Sequence, residues 1–218
     1  MQTINQIFTL LQHHYGELTW WPAETDYEMM VGAILTQNTN WKNVEKALAN
    51  FAGLLTPQRV LAISQETLAE TIRPSGYYNQ KAIKLKALTR WYQGYDFDIS
   101  KARNVDGNDL RKELLAVKGI GPETADSILV YALDKPFFVI DAYTRRILHR
   151  VGVDLPKGYD AFRVMIEDAI PRNLTTYQQY HALLVEHAKA YCTKVPKCLH
   201  CPLNDICQKR LAIKQTTE

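Results

Sequence analysis

Four cysteines lie close together near the end of the 218-residue chain, as Cys192, Cys198, Cys201 and Cys207. Their spacing is Cys-x5-Cys-x2-Cys-x5-Cys. Nothing in the sequence marks the protein as secreted, so a framework of disulfides is not expected. Four thiolates at this density predict a metal site that holds either an iron–sulfur cluster or zinc.

A second candidate site lies at Lys118-Gly119-Ile120-Gly121-Pro122. The residues before it have the pattern of a helix end, and Pro122 suits the first turn of a new helix, where its missing N–H costs nothing. Glycines permit close approach, and the free amides of a helix N-terminus attract an anion. The motif predicts a phosphate-binding hairpin between two helices, although an ordinary interhelical turn has the same pattern.

An aspartate after an apolar run is the third candidate. Asp141 follows Phe137–Ile140 and precedes Ala142–Val151, in which apolar residues recur at helical spacing. An aspartate in this setting commonly caps the N-terminus of the helix. A carboxylate fixed there is rigid, and the positive end of the helix dipole favours its ionised form.

Lys118–Pro122, the helix after it and the Val139-Ile140-Asp141 ending together resemble the helix-hairpin-helix DNA glycosylases, the endonuclease III superfamily. The resemblance extends through nearly the whole chain. It is closest to the monofunctional 3-methyladenine DNA glycosylase III branch. It implies that backbone amides at Gly119 and Gly121 hold a DNA phosphate, with Lys118 beside them.

The same resemblance makes Asp141 a catalytic residue. Breaking an N-glycosidic bond builds positive charge on the sugar, and a fixed anion nearby lowers that barrier. Glu123 stands where bifunctional members carry a lysine, whose amine attacks the sugar before the strand is cut. Because a carboxylate cannot form that imine, we expect base removal that leaves an abasic site. If Glu123 and Asp141 both face the pocket, their repulsion raises one pKa and favours a cationic alkylated base.

Two more residues gain roles in DNA binding from the resemblance. Gln37, in the polar break after Met29–Leu35, is expected to fill the gap left in the duplex, where an amide can serve an orphaned base as donor and acceptor. Tyr77 follows a Pro-Ser-Gly turn and is expected to prop the opposite strand as a wedge. A helix cap near Gln37 and a packed tyrosine are the structural alternatives.

Three tryptophans are expected in the base pocket. Trp20 and Trp21 stand in a Trp-Trp-Pro connection similar to one that lines this pocket in the 3-methyladenine branch. Trp41 matches an aromatic residue of the same pocket. Their flat faces would stack on an extruded base. Alternatively, at least one of the adjacent pair packs between the lobes.

For the four cysteines, the resemblance implies a [4Fe–4S] cluster, with zinc as the alternative. Many family members place the cluster here with one more residue in the first gap. The 3-methyladenine members lack it, so the chain combines features of two branches.

Bulk properties restrict the function less than these motifs do. The chain is 46% hydrophobic and has no long uncharged apolar run, which predicts a soluble protein with no membrane partner. Its N-terminus lacks the features of a signal peptide, which favours an intracellular, cytoplasmic location. The net charge of +3 is compatible with DNA only if the basic groups are clustered.

Helical periodicity recurs through the sequence and strand signals are scarce, which predicts an all-α chain of about ten helices. The resemblance implies a two-lobed helix-hairpin-helix glycosylase fold with the active-site groove between the lobes. The expected barrel domain, with the hairpin, spans residues 25–133. The expected terminal domain, with the cluster loop, combines residues 1–24 and 134–218.

The leading interpretation is a monofunctional glycosylase that excises an alkylated purine such as 3-methyladenine from double-stranded DNA, acting as a monomer. One alternative is the same fold acting on another lesion: uracil, a deaminated purine, or an oxidised pyrimidine with lyase activity. The other is a non-catalytic DNA-binding module in which Asp141 only caps its helix.

Overall fold

The computed structural model describes residues 2–18 and 23–211. Within those ranges all regular secondary structure is helical and no β-strand is present, which confirms the all-α prediction. No helix there is long and apolar enough to cross a membrane. The chain divides into two compact units, one formed by Met1–Trp20 with Pro136–Glu218 and the other by Trp21–Lys135.

The described residues form twelve α-helices: α1 (Gln2–Tyr15), α2 (Asp26–Leu35), α3 (Trp41–Ala49), α4 (Pro57–Ala62), α5 (Gln65–Thr71), α6 (Tyr78–Gln93), α7 (Ile99–Arg103), α8 (Gly107–Ala116), α9 (Pro122–Tyr131), α10 (Ala142–Val151), α11 (Tyr159–Glu167) and α12 (Leu174–Ala190). Two 3₁₀ turns lie at Arg73–Ser75 and Cys198–His200. The periodicity misses α4 and α7, because helices of six and five residues are too short to show a repeat.

The unit of Trp21–Lys135 is built around α2, which is buried on nearly all sides. A helix that is apolar all round belongs in the middle of a core. It packs against α6 and α9, while α6 also packs on α4 and α5. Helix α6 thus runs beside both the end of α2 and the end of α4.

The other unit joins the start of the chain to its end. The buried face of α1 carries Ile4, Ile7 and Leu11 and packs on α12. The Tyr180 hydroxyl on α12 donates to the Ile4 carbonyl at 3.0 Å. Helix α10 packs against the same α12, so α12 is the centre of this unit.

A buried ion pair fixes the two helices of the glycine hairpin to each other. Arg111 on α8 donates from Nε to Asp126 Oδ1 on α9 at 2.6 Å, and its Nη2 lies 3.3 Å from Oδ2. The Asp126 side chain is fully buried. A two-pronged contact of this kind sets geometry as well as energy, because the planar guanidinium matches the carboxylate.

We expect Arg111→Ala to lower the free energy of unfolding by about 3–5 kcal/mol, because it leaves a buried carboxylate without its guanidinium. Urea denaturation measures this loss. Lys112→Ala is the matched control, since Lys112 pairs with Asp109 on the exposed face of the same helix and should leave stability nearly unchanged. Equal effects of the two substitutions would contradict a special role for the buried pair.

Candidate functional site

The glycine motif forms the expected hairpin between α8 and α9. Val117 ends α8, and the Ile120 amide donates back to the Val117 carbonyl at 3.1 Å to close the turn. Gly121 is the N-cap of α9, Pro122 is its first residue, and no side chain caps this helix. The amides of the first turn therefore have no side-chain acceptor at the N-cap, as an anion-binding helix start requires.

Two features of the structure favour glycine at position 119. Its φ is +86°, which lies in the left-handed region where a side chain is strained. A Cβ atom there would also collide with the aliphatic stem of Lys84, which crosses over Gly119. Lys118 is exposed on the same turn. The hairpin consequently has cations on both sides, from Lys118 in the turn and from Lys84 on α6.

Gln37 lies in the turn after α2, and its amide is engaged with both α6 and the hairpin. Lys84 Nζ donates to Gln37 Oε1 at 2.5 Å. Gln37 Nε2 donates to Thr124 Oγ1 at 3.0 Å and to the Gly119 carbonyl at 3.3 Å. To enter a duplex, the Gln37 amide would have to exchange these partners for those of a base.

Tyr77 projects from the turn before α6, with 70% of its surface exposed. It is the N-cap of that helix and adopts the left-handed conformation, with φ of +46° and ψ of 29°. A non-glycine residue there is strained, and such strain concentrates at functional sites. An exposed, strained aromatic residue is suited to contact something outside the protein.

The residues of the expected base pocket are described only in part. Trp41 is the first residue of α3 and is half-buried. Trp20 and Trp21 lie outside the described residues. Glu123 is exposed in the first turn of α9, with its carbonyl accepting from Ser127 Oγ at 2.7 Å.

Asp141 caps α10, and its Oδ1 accepts from the Thr144 amide at 2.7 Å. Its other oxygen lies 3.5 Å from His181 Nε2 on α12, and only 13% of the side chain is exposed. Burial acts to raise the pKa of Asp141, but the hydrogen bonds and charge of His181 and the Thr144 amide outweigh it and hold the pKa below its usual value. The carboxylate is therefore ionised at neutral pH.

His181, Lys84 and Lys81 are site residues that the sequence analysis did not identify. A histidine on the buried face of a helix has the pattern of an ordinary core position, and lysines on α6 have the pattern of a solvated face. The contacts of these residues span 40 to 47 positions of sequence where they join Asp141, Gln37 and Leu35. No local sequence pattern indicates contacts between residues so far apart in the chain.

All four cysteines line one cavity, together with Ile147, Val151, His187, Tyr191 and Leu203 among others. Their thiols are free and each is partly buried. In the described part of the chain, no three Cys, His, Asp or Glu side chains are close enough together to hold a single metal ion. Four thiols that line one cavity are ligands suited to an iron–sulfur cluster or to zinc.

Two arginines of α10 hold the cysteine segment in place. Arg146 Nε donates to the Cys192 carbonyl at 2.8 Å. Arg150 Nη1 donates to the Thr193 carbonyl at 2.7 Å and lies 3.4 Å from Cys192 Sγ. Helix α10 therefore connects the two chemical features of this unit, because it begins at Asp141 and ends against the cysteines.

Residues 31–171 match the family described as HhH-GPD superfamily base excision DNA repair protein. The chain belongs to this family, and it is accordingly a DNA glycosylase. The prediction of a helix-hairpin-helix glycosylase of the endonuclease III superfamily is confirmed.

Individual relatives agree with this assignment. A Methanocaldococcus jannaschii protein assigned to the DNA repair glycosylases is 46% identical over 212 residues, which cover 94% of this chain and 96% of the relative. The structure of H. pylori 3-methyladenine DNA glycosylase bound to 1,N6-ethenoadenine is similar, with a TM-score of 0.75 and 30% identity over 85% of this chain and 97% of that one. A non-covalent endonuclease III–DNA complex shares the fold, with a TM-score of 0.81 and 21% identity over 95% of each chain.

Asp141→Asn should lower base release at least about tenfold, equivalent to about 1.4 kcal/mol of barrier, on the lesion that the wild type excises best. Asparagine caps helices as well as aspartate does, so the substitution removes the charge and keeps the cap. Single-turnover release of the base measures the effect.

Asp106→Asn is the matched control, because Asp106 caps α8 with an exposed carboxylate. It should leave the rate unchanged. Turnover by Asp141→Asn above a tenth of the wild-type rate would assign Asp141 to capping alone.

Proposed function

We propose that the protein is a monofunctional DNA N-glycosylase that removes an alkylated purine, such as 3-methyladenine, from double-stranded DNA. The observation that carries this proposal is Glu123 in the first turn of α9. By resemblance, members that also cut the strand carry their attacking lysine at that position. A carboxylate there cannot form the Schiff base on which strand cleavage depends.

The chemistry follows from the ionised Asp141 carboxylate. The bond from the sugar C1′ to the purine nitrogen breaks, and the base departs with the electron pair. A cationic alkylated purine leaves as a neutral molecule, so no general acid is required. Asp141 stabilises the sugar cation electrostatically, and a water oxygen then bonds to C1′ and releases one proton to the solvent. The product is an abasic site.

DNA binding would be shared among three features of the unit of Trp21–Lys135. The uncapped start of α9 and the adjacent lysines suit a backbone phosphate. Tyr77 suits a wedge because it is exposed in a strained turn. Gln37 suits the gap in the duplex, and its present partners are polar groups that could be exchanged for the edge of a base.

The lesion class rests on similarity and charge. The H. pylori enzyme at 30% identity is named for 3-methyladenine, and its structure holds an adenine that carries an added etheno bridge. The ionised carboxylate of Asp141 favours a cationic base over a neutral one. Both arguments point to alkylated purines rather than to uracil or oxidised pyrimidines.

A panel of duplexes tests the function directly. Each duplex carries one lesion: 3-methyladenine, 1,N6-ethenoadenine, uracil or an oxidised pyrimidine. We expect release of an alkylated purine, with strand breaks only after alkali treatment. Preferred release of uracil or an oxidised pyrimidine would reject the substrate, and binding without any release would reject catalysis.

Borohydride added during turnover should trap little covalent protein–DNA complex, because no amine occupies the position of Glu123. Glu123→Lys should raise trapping if the side chain faces the sugar, while Glu113→Lys on the neighbouring helix α8 serves as the control for added charge. Gel electrophoresis separates the trapped complex. Efficient trapping by the wild type would contradict the monofunctional assignment.

We further propose that Cys192, Cys198, Cys201 and Cys207 hold a [4Fe–4S] cluster. The support is the single cavity that all four thiols line and the arginines that fix the segment from α10. Such a cluster would cross-link the cysteine segment through four thiolate bonds. In that role it serves structure, and the residues of the base-release chemistry do not require it.

Protein purified without oxygen should be brown and contain about four irons and four labile sulfides per chain. Cys198→Ser should lower both contents and the melting temperature, because one ligand of the cross-link is lost. Ser100→Cys, which adds a thiol in the other unit, should change neither content. Colourless wild-type protein with one zinc ion would contradict the cluster.

A further inference from the structure

Lys81 on α6 is a lysine with only 1% of its surface exposed. Its ammonium group donates to the Leu35 carbonyl at 2.8 Å and to the Ser75 carbonyl at 2.6 Å. Leu35 is the last residue of α2, and Ser75 is the last residue of the 3₁₀ turn Arg73–Ser75. One buried cation thus joins the ends of two separate elements.

Each of these carbonyls lies two residues before a residue that we assign to DNA contact. Leu35 precedes Gln37, and Ser75 precedes Tyr77. Both turns also contain a non-glycine residue with positive φ, which is +54° at Asn38 and +46° at Tyr77. Strained conformations of this kind persist only where the surroundings hold them.

We infer that Lys81 is a positioning residue that fixes the turn of Gln37 and the turn of Tyr77 at one spacing, so that both side chains meet the duplex together. This inference rests on the proposed function. It assigns no direct contact with DNA to Lys81, which is buried behind the two turns.

The free-energy cost of burying the ammonium group of Lys81 favours a dedicated role for it. Burying a cation is costly unless hydrogen bonds compensate, and an apolar side chain of similar length would fill the same space more cheaply. Burial and the charge of Lys84 lower the pKa of Lys81 to about 8, so the amine still carries its proton at neutral pH. The charged ammonium group can therefore donate hydrogen bonds to both carbonyl groups.

Lys86 provides a matched control on the same helix. It is also buried, and its ammonium group donates to the carbonyls of Val60, Leu61 and Ile63 at 3.1, 3.2 and 2.6 Å. It therefore holds the end of α4, where none of the proposed DNA-contacting residues lies. Lys81→Met and Lys86→Met each remove one buried cation and shorten the unbranched side chain by a single atom.

The test compares binding of the two variants to three short duplexes. One is undamaged, one contains a tetrahydrofuran abasic analogue, and one has 2-aminopurine opposite that analogue. For Lys81→Met we expect the preference for the abasic duplex to fall at least about tenfold, as misplaced binding groups cause. We also expect loss of the 2-aminopurine fluorescence change. Lys86→Met should retain both, at a melting temperature lowered to a similar degree.

The coupling between Lys81→Met and substitutions of Gln37 and Tyr77 gives a second criterion. Lys81→Met added to the double variant Gln37→Ala/Tyr77→Ala should cause no further loss of preference, because its effect passes through those side chains. An additive loss, or equal behaviour of Lys81→Met and Lys86→Met, would overturn the inference. A wild type without any preference for the abasic duplex would overturn the proposed function first. If Lys81→Met does not fold, Lys81→Gln, which has the length of methionine but keeps a donor, is judged by the same criteria.

Discussion

Much of this structure depends on one constraint, which is that the carbonyl groups at helix ends need hydrogen-bond donors. A chain of short helices leaves the last carbonyls of each one without intrahelical partners, and the negative end of each dipole favours a cation there. In the described residues, several such ends are met by a cationic side chain from another element: Lys81 at α2, Lys86 at α4, Lys135 at α7, Arg103 at α9 and Arg146 at α12. These contacts place the turns that follow the helices, and the proposed DNA-contacting residues Gln37 and Tyr77 lie in two turns bound in this way.

The opposite ends of the helices serve a different purpose. The start of α9 has no side-chain cap, whereas the start of α10 is capped by Asp141. An uncapped start is suited to an external anion, while a capped start holds an internal one. Under the proposed function, the same helix property would attract a phosphate at one site, and it keeps a carboxylate ionised at another. His181 adds to the second effect from α12.

The sequence was sufficient to predict the all-α fold, the hairpin and the cap at Asp141, because each depends on neighbours along the chain. Proline and glycine at Gly121–Pro122 and the apolar run before Asp141 are local signals. The partners of Gln37 could not be predicted, because Lys84 and Thr124 are 47 and 87 residues away. The burial of Lys81 could not be predicted from the sequence either, since a lysine in an amphipathic helix usually faces solvent. The single cavity that all four thiols line also required coordinates.

The left-handed conformation of Tyr77 has a consequence for how this chain can evolve. Tyrosine in that conformation costs about 1–2 kcal/mol, whereas glycine would relieve the strain and lose about 0.5–1 kcal/mol through the greater freedom of the unfolded chain. Because Tyr77 is mostly exposed, little packing would be lost with the ring. Selection for stability alone would therefore accept glycine at this position. A lineage that keeps an aromatic residue here retains it at the expense of stability. Under the proposed wedge role, its loss would be an early sign that a descendant no longer distorts DNA.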